Sequence, residues 1–155
     1  MKKFTLSFLI ILIFLSSCGN TKSVLPNTQP FPSPAGKWNL KLTQSGGIAG
    51  VQLTVEVNSD GLLKAENQRS QQIVTKILSS QTVIELKKLI FNTISSASRT
   101  TQSACADCFI YDLEIQLDGS NIKIHVDDIT INKSGAQELI AKLIGLRDEA
   151  LKPNP

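Results

Sequence analysis

The chain predicts an α+β fold: a curled antiparallel sheet of about five or six strands with two amphipathic helices packed on one face. Three observations carry this. Several stretches alternate apolar and polar residues, the pattern of strands with one wet face and hence of an antiparallel sheet. Two stretches instead repeat apolar residues at three- and four-residue steps, the period of a helix with one buried side. Asp60-Gly61 and Asp118-Gly119 separate alternating stretches, as hairpin turns do.

Ahead of that pattern, Lys2 and Lys3 precede an apolar stretch at 4–15 broken only by Thr5 and Ser7. As a helix it would be about 18 Å long at ~1.5 Å per residue. A bilayer core is about 30 Å thick, so the stretch suits the h-region of a secretory signal rather than a permanent span. Its exit, Leu15-Ser16-Ser17-Cys18, resembles the bacterial lipoprotein box: an aliphatic residue, two small residues, then cysteine. In that family the cysteine sulfur carries a diacylglycerol, the signal is cut before it, and the new N-terminus is usually acylated. The resemblance implies a leader at 1–17 and lipidation at Cys18. It also implies a place in the cell envelope, lipid-anchored to a membrane at the outer membrane or cell surface. Gly19, rather than Asp, is compatible with an outer-membrane destination. Two or three acyl chains, at ~0.8 kcal/mol per buried CH₂, hold a protein on a membrane durably. The alternative is an ordinary signal peptide with an accidental cysteine.

Residues 18–35 form a tether: four prolines lie among Asn, Ser and Thr. Such segments stay extended, at up to ~3.1 Å per residue. Phe31 folding back onto the domain is the competing possibility. Loss of Lys2 and Lys3 would lower the formal net charge from +3 to +1. A near-neutral domain with one Trp and one Tyr is not a nucleic-acid binder on charge grounds.

A single domain follows at 36–150. "KWNLKLT" sets Trp38, Leu40 and Leu42 against Lys37, Asn39, Lys41 and Thr43. "VQLTVEVN" sets Val51, Leu53, Val55 and Val57 against Gln52, Thr54, Glu56 and Asn58. Ser59-Asp60-Gly61 turns the chain, "LLKAEN" runs back, and "QIVTKIL" reads as a further strand or an extension. A helix comes next, with Val83, Leu86, Ile90 and Ile94 in its stripe and Leu89 widening it. Ser80 is its expected N-cap, with Thr82 and Glu85 as an alternative capping box. "FIYDLEIQL" then puts Phe109, Tyr111, Leu113, Ile115 and Leu117 inward. After the Asp118-Gly119 turn, Ile122, Ile124 and Val126 return inward. Ser134 with Gln137 suggests a capping box for a last helix, which buries Ala136, Leu139, Ile140, Leu143 and Ile144 and stops before Pro153.

Few residues suggest chemistry. Cys105 and Cys108 are spaced as CxxC. Zinc would need a fourth ligand from a carboxylate, since His125 is the only histidine. A redox pair normally sits where a strand meets a helix N-terminus, whereas this one precedes a strand. The expectation is a local disulfide that pins the start of the "FIYDLEIQL" strand in an oxidising envelope. His125 and Asp127 could form a base pair of catalytic type, but alternation sends both to solvent. Asp127 and Asp128 point to opposite faces of a strand and cannot share one cation. No nucleophile, base and orienter assemble from the sequence, so the chain is expected not to be an enzyme and to need no cofactor or metal.

The stretch Ser45, Gly46, Gly47, Ile48, Ala49 and Gly50 is the candidate binding loop. Its three glycines exceed what a simple hairpin needs, and they leave backbone N–H and C=O groups unshielded. Ile48 and Ala49 form an apolar tip. Such a loop can enter a narrow cleft and pair with its edge; a glycine-bulged hairpin with no partner fits the same residues.

This loop, the "VQLTVEV" strand, Asp60-Gly61, the "LSS" helix start with "ELKKLI", the strand carrying Asp107, Phe109 and Tyr111, and the closing "ELIAKLIGL" together resemble the emfourin family of small protease inhibitors. The similarity spans 37–146. It implies an α+β fold and, by analogy with the characterised type, inhibition of a thermolysin-like zinc metalloprotease, either of the envelope or secreted. An inhibitor of that kind occludes a substrate cleft and needs no catalytic residues. Its affinity comes from preorganised backbone pairing and a filled pocket. The alternative role is a structural or interaction lipoprotein of the envelope.

Overall fold

The structure, a computed structural model, describes residues 36–96 and 105–153. The expected leader, lipidation site Cys18 and tether lie outside the described residues. Six strands form one sheet: β1 (Trp38–Gly46), β2 (Val51–Asn58), β3 (Leu62–Asn67), β4 (Gln72–Ile77), β5 (Phe109–Leu117) and β6 (Ser120–Asp127). Two helices, α1 (Ser80–Ser96) and α2 (Gln137–Leu151), complete an α+β fold. The strand order is β4-β3-β2-β1-β5-β6, and every pairing is antiparallel.

Alternation in sequence becomes two faces in space. The inner face contributes Trp38, Leu40, Leu42, Val55, Val57, Leu63, Ala65, Leu113, Ile115, Ile124 and Val126, all buried. Leu86 and Ile90 of α1 and Leu139, Ile140 and Leu143 of α2 complete the core. Full burial of each Leu or Ile is worth about 1.5–3 kcal/mol. The two helices are also linked at the surface: Lys142 Nζ donates to Glu85 Oε2 at 2.8 Å. That hydrogen bond, followed by one from Gln81, holds the Glu85 carboxyl below its usual range.

Among the described residues no helix lies on the outer face, which carries charge in register. Across one row, Lys64, Glu56, Lys41, Glu114 and Lys123 alternate in sign over five strands. Lys41 and Glu56 lie 3.5 Å apart, and Lys123 and Glu114 lie 3.1 Å apart. A parallel row of Asn39, Gln116 and Asn121 is neutral and polar.

The turns depend on short polar side chains more than the sequence suggests. Asn58 Oδ1 accepts the N–H groups of Asp60 and Leu62, at 3.1 and 3.0 Å. Asn67 Oδ1 does the same for Arg69 and Ser70, at 3.1 and 3.3 Å, which makes β4 a separate strand rather than an extension of β3. Leu117 pairs with Ser120, so Asp118 and Gly119 alone form the last hairpin loop.

Both expected helix caps require correction. The N-terminal cap of α1 is Ser79, whose Oγ accepts the Thr82 N–H at 3.2 Å. Ser80 is already helical, and Glu85 reaches Lys142 and Gln81 instead of closing a box with Thr82. At α2 the cap position is Ala136. Ser134 Oγ donates to the Ile131 carbonyl at 2.7 Å and accepts the Ala136 N–H at 3.0 Å, closing the short 3-10 turn Ile131–Lys133. A box from Ser134 to Gln137 needs residue 135 to be helical, and Gly135 sits at φ 72°.

Candidate functional site

At one end of the sheet, the pairing of β1 with β2 runs to Gly46 opposite Val51. Ser45 and Gly46 are therefore strand residues, and only Gly47, Ile48, Ala49 and Gly50 leave the sheet. The turn is closed by the Gly50 N–H, which donates to the Gly47 carbonyl at 3.0 Å. Ile48 stands at its apex and is 95% exposed.

The glycines answer two demands at once. Gly46 and Gly47 have φ of 92° and 67°, which favours glycine. A Cβ on Gly46 would lie 2.7 Å from the Cys108 carbonyl oxygen, and one on Gly47 would lie 2.7 Å from Phe109 Cε1. The turn is thus packed against the start of β5 as well as bent. The Gly47 N–H donates to the Cys108 carbonyl at 3.2 Å, and Arg69 Nη1 donates to the Ala49 carbonyl at 3.0 Å. One bond comes from each side, so the apex is held while its side chain is left in solvent.

Cys105 and Cys108 are joined by a disulfide, with Cα atoms 5.4 Å apart. It closes a small ring immediately before β5 and fixes the residue whose carbonyl holds Gly47. Below it lies a set of polar contacts. Asp128 Oδ2 accepts the Phe109 N–H at 2.9 Å, and Asp128 Oδ1 accepts the Tyr111 hydroxyl at 2.8 Å. Burial, then the bond to Asp128, pushes the Tyr111 phenol up to about 12. Opposite Tyr111 in register is Gln44, whose Oε1 accepts from the buried Arg147 Nη1 at 2.8 Å. Arg147 Nε also donates to Asp148 Oδ1 at 2.8 Å. These contacts tie β1, β5, the residues after β6 and α2 together beneath the turn.

Sequence reasoning found the glycine turn and the cysteine pair but not that they touch, and it missed Gln44, Arg147 and Asp128. The signal was present for two of the three. Gln44 continues the inward series Trp38, Leu40 and Leu42, and Arg147 continues the buried stripe Leu139, Ile140 and Leu143. Two polar residues at inward positions must find partners.

The surroundings of His125 and Asp127 differ from those expected of two solvent-facing strand residues. His125 is exposed as expected, but its Nδ1 lies 2.6 Å from Asp112 Oδ1 on the neighbouring strand. Asp127 is buried rather than solvent-facing. Its Oδ1 accepts from Ile129 N–H, Thr130 N–H and Thr130 Oγ1, at 3.1, 2.8 and 2.6 Å. Among the described residues, no group of three or more His, Cys, Asp or Glu side chains could hold a metal. No helix among them is long and apolar enough to cross a membrane. No family model and no curated protein matches the chain.

Proposed function

We propose that the chain is a lipid-anchored lipoprotein of the bacterial cell envelope whose α+β domain works by binding, through the 47–50 turn, in the cleft of a thermolysin-like metalloprotease. The observation that supports this is the braced, apolar-tipped turn. Ile48 projects fully from a backbone held by Cys108 on one side and Arg69 on the other. A rigid turn loses little freedom on entering a cleft, so more of its contact energy appears as affinity. In this account the cysteine of the Leu15-Ser16-Ser17-Cys18 box carries the anchor, and the domain performs no catalysis.

The test is titration of a thermolysin-like protease with the purified full chain in detergent. Proteolysis is expected to fall as the chain is added. Gly47→Val, which cannot keep its contact with Phe109, is expected to weaken inhibition at least about tenfold, equivalent to ~1.4 kcal/mol. Ile48→Asp is expected to do the same without altering the fold, because its side chain touches only solvent. A flat response across a panel of such proteases removes the inhibitor account. The alternative, an envelope lipoprotein that acts by assembly, draws on a different feature, the open margin at β4.

A further inference from the structure

We propose that β4 pairs antiparallel with β4 of a second copy of the chain, joining two six-stranded sheets into one continuous sheet. This does not rest on the protease account. Among the described residues the strand order leaves two margins, β4 and β6, each with a row of backbone groups that no further strand pairs. Proteins usually blunt such margins with proline, bulges or inward charges. β4 has no proline and no bulge, and its protection is limited to one inward charge, Lys76, which stands opposite the buried Leu63. Its pairing with β3 is unbroken from Leu62 opposite Ile77 to Asn67 opposite Gln72, and its one charged residue is Lys76.

The apolar residues exposed on the outer sheet face gather at this margin. Ile77 is 74% exposed, Ile73 58% and its neighbour Leu62 42%. The opposite margin presents Asn121, Lys123 and His125 on the same face. A strand with isoleucines two steps either side of a neutral centre is complementary to itself.

Register follows from that symmetry. A two-fold axis normal to the sheet keeps both outer faces on one side, so opposed residues must come from the same face. Centring it on Thr75 sets Thr75 opposite its own copy, Ile73 opposite Ile77 of the second copy, and Val74 opposite Lys76. Centring it on Val74 opposes Ile73 to Thr75 and leaves Ile77 beyond the strand. Centring it on Lys76 opposes two like charges, which is unfavourable. Only the Thr75 register covers both isoleucines.

The charged row also permits it. That row ends at Lys64, which faces Thr75. In the pair the two Lys64 residues are separated by three strand spacings, about 14 Å, beyond the ~8 Å screening length at physiological ionic strength. Because β1 and β2 lie inward of β3, both 47–50 turns stay uncovered.

Cysteine cross-linking in the full chain, in membranes, tests the register. Opposed residues have Cα atoms about 4.5–5.5 Å apart, within the ~4.4–6.8 Å a disulfide spans. Thr75→Cys under mild oxidation is expected to give a covalent dimer, reversed by a dithiol and absent from both the unsubstituted chain and Lys123→Cys. Adding Ile77→Lys to Thr75→Cys is expected to abolish the cross-link while circular dichroism is unchanged. Sedimentation of the unsubstituted chain in detergent is expected to give twice the monomer mass. A Thr75→Cys chain that folds yet stays monomeric overturns the proposal. So does equal cross-linking through Lys123→Cys, or monomer mass at every concentration.

Discussion

Asp127 and Asp128 show how far a single position can escape a pattern. Alternation sends Asp127 to solvent, yet it is buried. The strand ends there, and the carboxylate folds back onto the next turn, accepting three hydrogen bonds from Ile129 and Thr130. Short acidic side chains do this readily at chain reversals. Asp128 instead reaches across to Phe109 and Tyr111, a contact that no periodicity encodes. Tyr111 carries the pH prediction. Its phenol is raised in the folded state, so folding favours the protonated form. That stability is complete below the unfolded value near 10 and is lost as pH rises through about 12. Denaturant midpoints measured at alkaline pH are expected to fall steeply for the unsubstituted chain. The fall should be shallower for Tyr111→Phe; identical slopes would show that Tyr111 does not titrate differently on folding.

At the scale of elements, strands and helices were legible and their junctions were not. β1, β2, β5 and β6 sit where period-two patterning puts them, and the apolar stripes of α1 and α2 face the sheet. The caps slipped because Ser79, Ser80 and Thr82 all suit a helix start; Ser79 takes the role by accepting the Thr82 N–H, while Glu85 is drawn to Lys142 on the other helix. The candidate site was legible in its parts: three glycines and a CxxC. Their meeting was not, because the Gly46 to Phe109 register is a property of the assembled sheet. The disulfide ring is short, so its removal in the double variant Cys105→Ser, Cys108→Ser is expected to lower unfolding free energy by only about 1–2 kcal/mol. If the 47–50 turn inhibits a protease as proposed, inhibition should suffer more than stability, since Cys108 holds Gly47 through its carbonyl. Equal inhibition by the double variant would show that the turn keeps its shape without the ring.

For the whole molecule, the decisive test concerns attachment. If Cys18 is lipidated as proposed, Cys18→Ala keeps residues 1–17 and takes up no labelled acyl chain, read by metabolic labelling and mass; normal labelling of that variant would refute lipidation there. Strand order has a separate consequence for how the chain comes together. β1 is the first strand made, yet its second neighbour, β5, arrives only after β2, β3, β4 and α1. Until then, a strand that carries Trp38, Leu40 and Leu42 waits with one flank bare, an opening for misassembly that grows with the delay. A polypeptide cut short anywhere before residue 109 would be stranded at that stage, so shortened products of this gene should be sticky and quickly degraded rather than partly functional.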